Sequence, residues 1–202
     1  MTAAEQALLA ARPDFGAIAH WVSPGARVLD LGCGDGALLR YLWQAREAPG
    51  YGVEIDDDSV LSCVENDVNV LQVDLESGLS LFADSSFDCV ILSQTLQAVR
   101  HTEGVLREML RVGREAIVSF PNFGHWSARL QLALGRMPVS ASLPYEWYET
   151  PNVHHCTITD FEDLCRRLDI RIRERIVLHE GKPVALIPNL FGSLAVYRCT
   201  AG

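Results

Sequence analysis

Asp30, Gly32, Gly34 and Gly36 stand at alternate positions between an apolar run (Val28, Leu29, Leu31) and a stretch that places Leu38, Tyr41, Leu42 and Ala45 on one helical face. The apolar run reads as a buried parallel strand, and the glycines as a turn into a helix. Glycines at such a turn let the backbone bend sharply. They also let a ligand approach the unpaired N–H groups of the helix that follows. Gly32, Gly34 and Ala37 additionally satisfy the dinucleotide pattern G-x-G-x-x-[GA]. Asp30 tips the choice between ligands. A carboxylate two residues before the first glycine repels a pyrophosphate and suits a ligand that carries an ammonium group.

Two further acids lie in register with it. Glu54 ends the next apolar strand, Gly52-Val53-Glu54-Ile55, and Asp74 ends a third, Val70-Leu71-Gln72-Val73-Asp74-Leu75. An acid at the end of the second strand is placed to accept both hydroxyls of a ribose. The D-x-G-x-G-x-G run resembles the first motif of the class I S-adenosylmethionine (SAM)-dependent methyltransferases. That resemblance implies SAM or S-adenosyl-L-homocysteine as the ligand, with Asp74 meeting the adenine amino group. The residues expected at the cofactor are Asp30, Gly32, Cys33, Gly34, Gly36, Glu54, Ile55, Asp74, Leu75 and Ser93.

The whole chain limits what these residues serve. With 202 residues, 49 % of them apolar, there is core material for one domain of ordinary size. A net charge of −9 argues against a nucleic-acid backbone as the main partner. No apolar run reaches the roughly 18 residues that a membrane span requires. The first residues lack the shape of a signal peptide, and the six cysteines have no C-x-x-C spacing, so a cytoplasmic protein with neither disulfide frame nor zinc site is expected. Asp56, Asp57 and Asp58 precede a helix, where acids favour the dipole and cap the first turn; adjacent positions diverge, so no metal site is expected there.

The elements that must position the acids follow from pattern. Helix over 3–21, broken at Pro13, leads into strands over 27–32, 51–55, 69–74, 87–92 and 116–120. Helices fall between them over 36–47, 59–67 and 102–112, with Gly113 as a stop, and another follows over 125–135. Thr159-x-x-Glu162 reads as a capping box that opens a helix over 160–168. The strict alternation of 170–176 reads as a half-buried strand, and 193–199 as the last one. The alternation of strands and helices predicts an α/β, doubly wound, mostly parallel sheet of seven strands, and the motif resemblance implies the Rossmann-like class I methyltransferase type. The sequence divides as a single domain over 1–202, with 120–156 as a cap or insert within it.

Three longer stretches carry a closer resemblance. Phe120-Pro121-Asn122-Phe123-Gly124-His125-Trp126, the run from Pro144 to His154, and the run from Thr157 to Cys165, together with Gln94-Thr95-Leu96-Gln97, resemble the MetW family of methionine-biosynthesis proteins. The resemblance covers nearly the whole chain. It implies a protein that acts with the homoserine O-acyltransferase MetX to support homoserine acylation, and it implies no particular methyl acceptor. The alternative is a SAM-dependent methyltransferase that acts on the oxygen or carboxylate of a small molecule. A third reading keeps the fold as a scaffold without ligand.

The residues between 120 and 148 point the same way. Phe120, Phe123, Trp126, Tyr145, Trp147 and Tyr148 crowd into this segment, and they suit a substrate lid, a docking face, or a satellite core under a long loop. His154, His155 and Tyr148 are the residues whose chemistry could serve a reaction, a histidine as general base. No acid or base replaces the N/D-P-P-[YF] loop of the amine methyltransferases at Ser93-Gln94-Thr95-Leu96-Gln97, so catalytic residues are not assigned.

Overall fold

The computed structural model describes residues 3–140 and 143–202. Helices α1 (Ala3–Ala11) and α2 (Asp14–Trp21) meet at Pro13, as the break in the pattern predicts. They precede β1 (Val28–Leu31), α3 (Ala37–Arg46), β2 (Gly50–Glu54), α4 (Asp57–Glu65), β3 (Val70–Gln72), the short α5 (Leu75–Gly78) and β4 (Phe87–Ser93). Then come α6 (Thr102–Val112), β5 (Gly113–Pro121), α7 (Trp126–Ala133), α8 (Ile158–Arg167), β6 (Ile170–His179), β7 (Lys182–Pro183), α9 (Pro188–Phe191) and β8 (Leu194–Ala201).

The strands form one sheet in the order β3-β2-β1-β4-β5-β8-β6-β7. β1 to β5 pair in parallel, and β8 inserts antiparallel between β5 and β6. The sheet has eight strands and not the seven expected. The added strand, β7, is two residues long and folds back on Leu178 and His179. Its two-residue turn, Glu180-Gly181, has φ of 48° and 74°, the doubly left-handed geometry that matches strand twist. Two residues are too short to show any periodicity, so this strand leaves no pattern in the sequence.

Two other expectations change register. The capping box is formed by Thr157 and Asp160, not by Thr159 and Glu162: the Thr157 hydroxyl accepts the Asp160 N–H at 3.2 Å, and Asp160 accepts the Thr157 N–H at 3.1 Å. Glu162 is thereby free to face β6 and β8, where it meets Arg175 and accepts the Tyr197 hydroxyl at 2.9 Å. In β6, alternation does not hold through the strand. A bulge between Ile172 and Glu174 turns Ile176 onto the opposite face from Ile170 and Ile172.

Side chains alternate across the central strands and build two cores. On one face Leu29, Leu31, Val90, Leu92, Val118 and Phe120 pack under α6 and α8. The Phe120, Phe161 and Tyr197 rings lie within 4.7 to 5.9 Å of one another there, all buried. On the other face Val28, Ile91, Ile117 and Val196 pack under α2 and α3. The positions that continue this second face toward the carboxyl ends of the strands are Asp30, Ser93 and Ser119. All three are buried.

Phe161 joins α8 to the sheet through this ring cluster, so Phe161→Ala should destabilise the fold by about 3–5 kcal/mol in denaturant unfolding. Tyr197→Phe removes only a hydroxyl whose partner Glu162 keeps Arg175. It should cost about 1 kcal/mol.

Candidate functional site

A cleft of about 400 Å³ opens at the carboxyl ends of β1, β2, β3 and β4. Gly32, Glu54, Ile55, Asp74 and Leu75 of the expected set line it, joined by Val53, Val73, Glu76, Gln94, Thr95, Gln97 and Val99. Apolar side chains thus face one another across the cleft, and carboxylates stand at its rim. The sheet order explains the position. The strand sequence reverses between β1 and β4, and the turns leaving that switch point diverge to leave a crevice.

Glu54 is held by three backbone N–H groups. Its Oε1 accepts from Ile55 at 2.7 Å and from Asp56 at 3.1 Å, and its Oε2 accepts from Gly34 at 2.9 Å. The carboxylate therefore ties the end of β2 to the glycine turn. Asp74 uses one oxygen to cap α5 through the Glu76 N–H at 2.9 Å and stands exposed at the cleft wall. Gly32 has φ of 69°, and a Cβ there would lie 2.6 Å from the Thr95 side chain, so both conformation and space demand glycine. Gly34 has φ of 55° with open space beyond it, so conformation alone demands glycine there.

The other expected residues lie behind the cleft wall. Gly36 precedes α3 in left-handed conformation. Cys33 points inward, its Sγ 3.8 Å from that of Cys63, and burial pushes its thiol up. Cys63 in turn donates to the Gly34 carbonyl at 3.1 Å, so the two thiols pack the turn from below. Ser93 belongs to a buried cluster rather than to the lining. Asp30 lies 2 % exposed beneath the turn, and its Oδ1 has no hydrogen-bond partner. Burial, opposed by Arg12 and reinforced by Asp14 and Glu54, raises its carboxyl to a pKa of about 7.

The cluster around Ser93 centres on Asp14, which sequence reasoning did not select. Arg12 donates to both Asp14 oxygens, at 3.2 and 3.0 Å, and also to the Ser93 hydroxyl at 2.7 Å. Ser93 and Ser119 donate to Asp14 Oδ2 at 2.6 and 3.1 Å, and Gln94 Nε2 reaches Oδ1 at 3.2 Å. Burial works to raise the Asp14 carboxyl, but the Arg12 guanidinium and the two hydroxyls hold it below its ordinary value. Arg12-x-Asp14 beside Pro13 was visible only as a helix break. Nothing local marks its partners, which lie 79 and 105 residues away.

The 120–156 segment reaches the cleft through Tyr145, Pro151 and Asn152. It is pinned by the Val153 and His154 N–H groups, which donate to the Gln97 carbonyl at 2.8 and 3.0 Å. None of the three reactive residues considered lines the cleft. His154 meets the Arg100 carbonyl at 3.2 Å; His155 stacks on Phe123 at 4.5 Å, and burial together with His154 lowers its pKa. Tyr148 packs edge-on against Trp147 and is exposed. Among the described residues no group of three His, Cys, Asp or Glu side chains could hold a metal ion, and no helix is long and apolar enough to cross a membrane.

The cleft sets the Glu54 and Asp74 carboxylates beside the apolar Ile55, Leu75 and Val99, with the Asp30 carboxyl buried behind its wall. Solved structures share its frame. A SAM-dependent methyltransferase from Mesorhizobium loti superposes with a TM-score of 0.69 at 17% identity, covering 94% of this chain and 97% of that one. One from Archaeoglobus fulgidus gives 0.66 at 17% identity, over 95% and 92%. These establish the class I SAM methyltransferase fold. A curated relative from Rhodopirellula baltica, "Bifunctional methionine biosynthesis protein MetXA/MetW", is 39% identical over 173 residues. That match covers 81% of this chain but only 28% of the relative's length. Residues 12–199 match the family described as "Methionine biosynthesis protein MetW", and the chain belongs to that family.

Proposed function

We propose that this chain binds SAM in the cleft at the carboxyl ends of β1 to β4 and acts beside the homoserine O-acyltransferase MetX in methionine biosynthesis. The observation that carries the cofactor reading is the buried, unpartnered Oδ1 of Asp30. A carboxyl group deprived of water and of a donor is costly, and a ligand ammonium group directed to it supplies both charge and hydrogen bond. Glu54 would hold the ribose hydroxyls, Asp74 the adenine amino group, and Ile55, Leu75 and Val99 the faces of the ring. Bound SAM supplies an electrophilic methyl group on its sulfonium. Asp30, Glu54 and Asp74 would bind and orient it.

The partner reading draws on the surface. Trp126, Leu130, Leu134, Trp147 and Tyr148 are all exposed, on α7 and on the loop beyond it. Large aromatics exposed in one segment suit an interface, where Trp and Tyr contribute most of the binding energy. The Rhodopirellula baltica relative, whose name joins MetXA to MetW, supports a MetX-type acyltransferase as the partner.

Pairing Asp30 with an ammonium group requires it to be ionised. Its pKa of about 7 in the free protein falls on binding, so SAM binding releases a proton. Titration calorimetry should therefore show affinity falling as pH drops below 7, by up to about tenfold per unit. Asp30→Asn should bind more weakly and lose that slope. An unchanged slope in Asp30→Asn removes Asp30 from the site. For the partner, Trp147→Ala should cost on the order of 2 kcal/mol in association with MetX while SAM affinity stays within twofold. Wild-type association in that variant overturns the docking role of the segment.

A further inference from the structure

A second cavity, of about 320 Å³, lies on the far side of Gln94 from the cofactor cleft. It is enclosed by the end of α1, the end of β5, the start of α7, the β6–β7 turn and the start of β8. Its volume is in the range of small-molecule sites. Walls contributed by Pro121, Ala128, Leu178 and Leu194 are apolar, and His125 and His179 stack at 4.8 Å along one side.

His125 is 7 % exposed, and its Nε2 is buried without a hydrogen-bond partner. The opposite nitrogen defines the tautomer. Nδ1 lies 2.8 Å from the Ser127 hydroxyl and accepts the Ser127 backbone N–H at 3.4 Å, the N-cap contact of α7. A backbone N–H only donates, so Nδ1 is an acceptor and the proton of the neutral ring sits on Nε2. Burial, and then His179, lowers the ring's pKa, which keeps it neutral at pH 7. Asn122, at the same wall, has its amide committed: its Nδ2 donates to the Asn189 and Gly192 carbonyls, and its Oδ1 accepts from Gly124 and Ile158. Among the described residues, the Nε2–H of His125, a residue that lines this cavity, is thus a buried donor without a partner.

We propose that this cavity is a second small-molecule site, which takes an uncharged ligand through a carbonyl or hydroxyl oxygen that accepts the His125 Nε2–H. Charge sets the class. Glu180 lines the cavity, no Lys or Arg among the described residues does, and the nearby Arg12 guanidinium is engaged by Asp14. A carboxylate or phosphate would enter without a counter-charge, whereas an ester, ketone or alcohol needs none. Gln94 lines both cavities and is held in left-handed conformation, with φ of 52°, by N–H bonds to the Ser119 carbonyl and hydroxyl. It forms the partition through which one site adjoins the other.

The test uses the full chain with ¹⁵N-labelled histidine and two probes of one carbon skeleton, methyl propanoate and propanoate. The ester should shift the His125 Nε2–H resonance saturably, with half-saturation on the order of 10 mM, as so small a ligand allows. Propanoate should bind at least tenfold more weakly. His125→Asn retains a favoured N-cap side chain, so α7 is kept while the imidazole N–H is lost. It should bind the ester at least tenfold more weakly by saturation transfer. Three results overturn the proposal: no saturable response to the ester, meaning that solvent alone satisfies the donor; equal responses to both probes; or unchanged ester binding in His125→Asn.

Discussion

Everything at this end of the molecule depends on the burial of two carboxyl groups, Asp14 and Asp30, on one face of the sheet. An ionised carboxylate withdrawn from water is costly unless donors surround it. Asp14 is surrounded: Arg12, Ser93, Ser119 and Gln94 all reach it. Its donors come from the N-terminal segment and from the ends of β4 and β5, so satisfying the charge also fastens α2 over the site. Asp30 keeps an oxygen with no donor, and its carboxyl rises accordingly. One carboxyl group thus fastens the scaffold, and the other is buried with an oxygen unpartnered.

The confinement of these polar groups follows from the pleat. Successive residues of β1, β4 and β5 face opposite sides, so Asp30, Ser93 and Ser119 share the face of Val28, Ile91 and Ile117. The opposite face, from Leu29 to Phe120, is apolar and packs under α6 and α8. The polar positions on the first face fall at the strand ends beside the switch point, where the crevice opens. Apolar packing and buried polar groups are thereby separated within the same three strands.

The aromatic residues of 120–148 share a segment without sharing a task. Phe120 lies in the ring cluster beneath the sheet, and Phe123 stacks on His155. Tyr145 stands at the cleft beside β1 to β4, while Trp147 and Tyr148 are exposed. Lid, satellite core and docking face were alternatives when only their density was visible. The folded chain disperses these residues, because a loop that wraps a sheet end presents successive side chains to different surroundings.

What the sequence determined by itself was the local chemistry that spacing encodes. The run Asp30 to Gly36, the acids Glu54 and Asp74 at or just past strand ends, and the strand–helix alternation each require only neighbours in the chain. The tertiary structure decided what depends on distant partners. It drew Ser93 away from the cleft into the Asp14 cluster, moved the α8 cap to Thr157 because Glu162 has partners in β6 and β8, and added the two-residue β7. Neither Asp14 nor His125 was marked by its neighbours as buried: a carboxylate after a helix break and a histidine at a helix start are ordinary until folding buries them. Burial turns such a residue into a site, and burial is a property of the whole chain and not of any window within it.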